Sequence, residues 1–187
     1  MARLPFLSEP LDGGDVRVRD AAERDIPEVL IAFEDDPAMH LRLGHPRPPS
    51  GAQLGRLAET EATDRAAGSR ATLTILEADS DLCLGQVAVH DLDWDHARAT
   101  LSPWVAPQAR GRGLAAGAVR LIGGWLLGRC GLVRVQVLCE ADNQAMLRAG
   151  ARAGLQHEGV LMAYRRLGSR RVDVAVLSLI AADLKAA

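Results

Sequence analysis

The chain has 187 residues, 48% of them apolar and 3% aromatic, with a formal net charge of −2 at pH 7. That length suits a single domain with a real core, built mainly from Ala, Val and Leu. A near-neutral balance without a basic run or aromatic-interleaved stripe argues against a nucleic-acid binder, and no stretch has transmembrane length without charge or glycine clusters. The opening Met1-Ala2-Arg3-Leu4-Pro5-Phe6 lacks the apolar run of a signal peptide. Cys83, Cys130 and Cys139 are odd in number and lack metal-ligand spacing. The expectation is a soluble cytoplasmic protein with no metal, no membrane contact and buried, reduced thiols.

Residues 1–14, with Pro5, Pro10 and Gly13-Gly14, read as a flexible arm ahead of one domain over 15–187. Val16-Arg17-Val18-Arg19 alternates as a half-buried strand does. Asp20 to Glu23 offers a cap to a helix carrying Ile26, Val29, Leu30 and Phe33, and Pro27 fits in its first turn. The prolines and histidines of 34–50 predict a loop or a short interrupted helix, and Gln53 to Arg65 an exposed helix. Strands are expected at Ala71–Ala78 and Leu84–Leu92, parted by Asp79-Ser80-Asp81. Asp91, Asp93 and Asp95 mark a turn into a strand at Ala97–Val105. A helix follows from Arg112 to about Leu127, its Gly117, Gly123 and Gly124 implying tight packing against a sheet. Val133–Cys139 is a continuous apolar-rich strand, Asp142 caps a helix that Gly154 stops, and strands near Gly159–Arg165 and Val172–Leu179 close the pattern.

The most informative segment is Gln108-Ala109-Arg110-Gly111-Arg112-Gly113-Leu114-Ala115, between an apolar strand and a helix start. Unpaired N–H groups of a first helical turn, aided by the helix dipole, make such a place an anion site. Gly111 and Gly113 allow close backbone approach, and Arg110 and Arg112 offer guanidinium forks to phosphate oxygens. A pyrophosphate is the expected ligand. A nucleoside-triphosphate loop is excluded because no Gly-Lys-Ser/Thr follows, the sole lysine being Lys185. A dinucleotide-binding oxidoreductase is disfavoured: Val133-Arg134-Val135-Gln136-Val137 lacks the acid that would hold a ribose.

Gln108, Gly111 and Gly113 fill the Gln/Arg-x-x-Gly-x-Gly/Ala loop of the GNAT superfamily of N-acyltransferases, which this segment resembles. Asp142-Asn143-Gln144-Ala145-Met146-Leu147-Arg148 through Gly154-Leu155, then Glu158-Gly159 and Gly168–Val174, are similar to the branch of the ribosomal-protein N-terminal acetyltransferases, RimJ and RimL. The resemblance implies an α+β fold: a mixed, mostly antiparallel central sheet flanked by helices, with its fourth and fifth strands splayed apart. It implies acetyl-coenzyme A, or another acyl-coenzyme A, as co-substrate and an amine as acceptor, a small molecule or a protein N-terminus. A homodimer is an assembly compatible with it. The residues implied to hold coenzyme A are Trp104, Val105 and Ala106 on the strand, Arg110, Gly111, Arg112, Gly113, Leu114 and Ala115 at the loop, and Asn143 and Arg148 behind it. One strand amide, that of Val105, would stabilise an oxyanion.

The proton chemistry departs from the family. Met146 stands where relatives place a serine or tyrosine, and Thr100 or its neighbour where they often place a glutamate; Ser102 and Pro103 replace a Gly-Tyr pair. Asn143, Asp91 and Glu140 are the candidate catalytic residues, with Asp93 and Asp95 as further carboxylates that could recruit a cationic acceptor. These departures leave open a rival reading, a non-catalytic module that binds or senses acyl-coenzyme A.

Overall fold

The computed structural model describes residues 4–77 and 80–183. Eight strands form one sheet in the order β1-β2-β3-β4-β5-β6-β8-β7. They are β1 (Leu11–Asp12), β2 (Val16–Asp20), β3 (Ala71–Glu77), β4 (Gly85–Asp93), β5 (Arg98–Val105), β6 (Arg134–Glu140), β7 (Gln156–Leu167) and β8 (Arg170–Ile180). Every neighbouring pair is antiparallel except β5 with β6. The mixed, mostly antiparallel α+β architecture expected from the motifs is present. Ala78 and Asp79, read as a strand end and part of a turn, lie outside the described residues.

Among the described residues five α-helices flank the sheet: α1 (Ile26–Asp35), α2 (Met39–Arg42), α3 (Gly51–Ala67), α4 (Leu114–Arg129) and α5 (Gln144–Ala153). α4 carries the main core, burying Leu114, Ala118, Val119, Ile122 and Leu126 against Val18, Leu73, Val87, Leu101 and Val137 of the strands. Small residues let it lie close: a Cβ at Gly117 would stand 2.3 Å from Val16 Cγ1. A smaller apolar cluster, Val29, Ala32, Phe33, Met39, Cys83 and Ala106, sits on the opposite face under α1 and α2.

The arm expected over residues 1–14 is not loose in its described part. Leu11 and Asp12 pair with β2, Leu4 is fully buried, and the Leu7 N–H donates to Asp20 Oδ2 at 2.8 Å. Its anchor is Arg65, 1% exposed, which donates to Pro5 O and Asp20 Oδ1 while the Phe6 ring lies 4.5 Å from the guanidinium. Local composition signals turns here, whereas the pinning partners, Asp20 and Arg65, lie 13 residues from Leu7 and 60 from Pro5.

Candidate functional site

β5 and β6 pair only from Arg98↔Arg134 to Leu101↔Val137, and beyond that point they part. The alternation of the ladders fixes which groups face the gap. The Ala106 N–H bonds Leu84 O at 2.9 Å, so Trp104 and Ser102, two and four residues back, also turn their backbone toward β4. Pro103 and Val105 therefore turn theirs toward β6. Pro103 has no N–H, which is why proline is tolerated inside a central strand here. Val105 O accepts from Arg110 Nε at 3.0 Å. What β5 offers the gap is the Val105 N–H and the Pro103 carbonyl. On β6, the Ala141 N–H bonds Asp173 O, so Leu138 and Glu140 face the gap.

A cleft of about 1030 Å³ fills this wedge. At one end stands the N-terminus of α4. Gly113 is its cap, in the left-handed region at φ 82°, and Gly111 has φ 80°. No side chain caps the helix, and nothing lies within 4 Å of a Cβ at either glycine, so the first-turn amides are bare. This is the backbone cradle a pyrophosphate requires. Along one side runs α5, whose cap is Asn143 and not the expected Asp142: Asn143 Oδ1 accepts from the Met146 N–H at 3.0 Å, and Arg148 and Arg152 stand exposed on the cleft rim.

The expected ligand-binding residues divide. Trp104, Val105, Arg110, Gly111, Gly113, Leu114, Ala115, Asn143 and Arg148 line the cleft, as does Glu140. Ala106 does not: it is buried in the second core and its amide is spent on Leu84. Arg112 turns away to pair with Glu77, and Gln108 is exposed in a short 3-10 turn. Arg110 is no free phosphate fork, because it donates to Val105 O and, at 2.7 Å, to Asp36 Oδ2. Both arginine side chains are thus engaged elsewhere, and what the loop leaves toward the cleft is its backbone.

Ser102, Trp104, Leu138 and Glu140 share one sheet face, following the Leu101↔Val137 and Thr100↔Gln136 register. Met39, Arg42 and Leu43 close over that face, and Trp104 packs against Phe33 with ring centroids 5.8 Å apart. One Glu140 carboxylate oxygen is buried without a hydrogen-bond partner. Arg165, from β7, donates to Leu138 O at 3.4 Å and Arg42 O at 3.2 Å. Burial pushes the Asp36 carboxyl up, but the Arg110 hydrogen bond and the charges of Arg42 and Arg110 outweigh it and hold the group below its usual range. Asp36, Arg165, Ser102 and Arg42 carry no motif in sequence; only the meeting of distant segments reveals them.

The aspartates after β4 behave otherwise than expected. Asp93 accepts from the His96 N–H and Arg98, which set its carboxyl down at about 2 and make it a turn cap. None of Asp91, Asp93 and Asp95 lines the cleft. Asp91 reaches the site only through its neighbour: its Oδ2 lies 3.1 Å from His90 Nδ1, and His90 Nε2 lies 2.7 Å from Ser102 Oγ. Thr100 is 2% exposed and accepts from Gln136 Nε2, so it is a core residue just before the splay. Among the described residues no group of His, Cys, Asp and Glu is arranged to hold a metal.

A family model described as an acetyltransferase (GNAT) domain matches residues 15–156. Among solved structures, the fold is similar to RimJ of Mycobacterium smegmatis in complex with a CoA disulfide (18% identity, 95% of this chain and 92% of that one, TM-score 0.78). It is similar to spermidine N-acetyltransferase from Vibrio cholerae in complex with CoA and spermine (15% identity, 91% and 98% coverage, TM-score 0.79). A third is the Salmonella typhimurium acetyltransferase that modifies the N-terminal serine of ribosomal protein L7/L12 (17% identity, 92% and 99% coverage, TM-score 0.79). No curated protein matches the sequence.

Proposed function

Since the chain belongs to the GNAT acetyltransferase family, a coenzyme A-dependent class that acylates amines, we propose that the β5–β6 wedge is where an amine directly attacks the thioester of acetyl-coenzyme A. The observation that carries this is the pairing of a bare helix N-terminus with two unpaired strand edges in one cleft. The amides from Gly111 to Ala115 would hold the pyrophosphate. The Pro103 carbonyl and the Val105 N–H would pair with the pantetheine arm as a neighbouring strand would, and the Val105 N–H would then meet the developing oxyanion. Arg148 would answer the charge at the far end of the coenzyme, and Asn143, whose Oδ1 is held by the helix cap, would present its Nδ2 to the arm.

Glu140 is the carboxylate placed to receive the acceptor's ammonium, on the face it shares with Ser102 and Trp104. Arg42 and Arg165 beside it favour an amine on a neutral or anionic body, such as a protein N-terminus, over a polycation. The aspartates after β4 do not line the cleft and are given no part in binding the acceptor. The reading includes a reducing cytoplasm, in keeping with Cys83, Cys130 and Cys139 all being free. No described helix is long and apolar enough to cross a membrane. It also includes a homodimer through the β7 edge, where Val160, Leu161, Met162 and Tyr164 are exposed; light scattering should then give twice the 20.0 kDa chain mass.

The direct test is thiol release from acetyl-, propionyl- and succinyl-coenzyme A across N-terminal peptides, amino acids and polyamines. Val105→Pro gives it a control internal to the fold. It removes the one N–H that β5 aims into the gap and leaves the β4 ladder intact, so turnover should fall by about 100- to 1,000-fold, the loss typical of an oxyanion donor. Unchanged turnover in a folded V105P protein would remove Val105 from the chemistry.

A further inference from the structure

We propose that Ser102, His90 and Asp91 form a proton outlet from the acceptor chamber to solvent; this rests on the reading of the cleft as an acyl-transfer site. The geometry is continuous. Ser102 Oγ, on the cleft wall one residue past the last β5–β6 pair, lies 2.7 Å from His90 Nε2 on the neighbouring strand. His90 Nδ1 lies 3.1 Å from Asp91 Oδ2, a carboxylate whose side chain is 71% exposed. The backbone is built to bring consecutive residues of one strand into this contact. The β4–β5 register shifts between His90 and Asp93, and Asp91 has φ 49°, so a bulge turns its carboxylate back onto its own neighbour. Without that bulge, residues 90 and 91 would point to opposite faces of the sheet.

The arrangement orders the hydrogen bonds. The Asp91 carboxylate accepts only, so His90 carries its proton on Nδ1 and presents the bare Nε2 to the Ser102 hydroxyl. An acceptor ammonium beside Ser102 then loses one proton to Oγ as the hydroxyl proton passes to Nε2, leaving a neutral amine and an imidazolium paired with Asp91. The amine nitrogen forms its bond to the acyl carbon as the carbon–sulfur bond breaks. Its second proton goes to the departing thiolate, and the proton on His90 leaves past Asp91 to water. The charged and titratable groups near His90 are Asp91 on its own strand and His45 from the segment over this face, and around His45 in turn stand His40 and Arg70. His45 is kept below its ordinary value by burial and by Arg70, His40 and His90. The relay supplies a base where Thr100 stands in place of a glutamate.

The test uses the parent and the variants S102A, H90Q and D91N. In the free protein, imidazole nitrogen NMR should find His90 as the Nδ1–H tautomer, shifting toward a mixture in D91N; an Nε2–H tautomer in the parent would overturn the proposal. With the acceptor found by thiol release, kcat should fall about 100-fold in both S102A and H90Q while acetyl-coenzyme A affinity by calorimetry is unchanged. The acid limb of the kcat/KM profile should vanish in H90Q, and the S102A/H90Q double variant should be no worse than either single change. Parental rates and an unaltered acid limb in H90Q would overturn the relay and leave acyl transfer standing. A parent that releases no thiol with any amine would overturn both.

Discussion

Gly113→Leu should reduce coenzyme A affinity by about 100-fold or more while the protein stays folded. The two halves of that expectation come from different facts. Gly113 sits at φ 82°, where an L side chain costs roughly 1–2 kcal/mol, yet a Cβ there would meet no atom within 4 Å. The fold therefore absorbs the change, and the space that leucine occupies is the space a phosphate must enter. Two charge-assisted hydrogen bonds from backbone amides, each worth about 1.5–3 kcal/mol, would be lost or lengthened. At 1.4 kcal/mol per tenfold, even the low end gives about 100-fold. Calorimetric titration of coenzyme A, with circular dichroism to confirm folding, checks it. Unchanged affinity in a folded variant would show that the α4 N-terminus does not hold the pyrophosphate.

A comparable effect on stability, far from the cleft, is expected of Asp25→Ala. The Asp25 side chain is 3% exposed and its oxygens accept from Arg19 Nη1 at 2.9 Å, Arg19 Nη2 at 2.6 Å, Thr74 Oγ1 at 2.7 Å and the Ala22 N–H at 3.0 Å. Removing it leaves a nearly buried guanidinium with only the exposed Asp81 as carboxylate partner, and breaking a buried pair this way costs about 3–5 kcal/mol. The same group sets part of the acid response. Burial pushes the Asp25 carboxyl up, but its hydrogen bonds from Arg19, Thr74 and Ala22 outweigh that and leave it below its usual value. A lowered folded value means the contribution is fully present above the unfolded carboxylate range, about pH 4, and is lost as pH falls through the folded value. Urea denaturation should show the 3–5 kcal/mol gap (about) at pH 7 and a smaller one near pH 3. Equal stability of parent and variant at pH 7 would contradict this account.

Asp25 also marks where reading the chain falls short. In sequence it is one acid among several at a helix start, indistinguishable from the cap candidates Asp20 and Glu23; its partner Thr74 is 49 residues away. What was legible is what backbone chemistry dictates locally: glycines at a strand-turn-helix junction, an asparagine beside a helix start, alternation along β2 and an apolar run along β6. What was not legible is which distant side chain meets which. Arg110 looked like a phosphate ligand because its neighbours are glycines, yet Asp36, 74 residues earlier, claims it. Asp91 was named for its charge, whereas its connection runs through a bulge that no pattern of residue types announces. Ser102 was read as a departure from a family pair, and only the antiparallel register sets it against His90.

Pro103 has a consequence for the energetics of the empty protein. Parallel strands that part invite collapse, since zipping them would satisfy stranded backbone groups. The ladder places the Leu138 carbonyl opposite residue 103, where any other residue type would supply an amide. With proline there, closure would offer that carbonyl no amide in exchange for the Arg165 guanidinium that bonds it now. The wedge thus has little to gain by shutting and is held ready before any ligand arrives. Binding then needs no strand to be prised from its neighbour, and the ordering entropy that would otherwise weaken association is spent once, during folding.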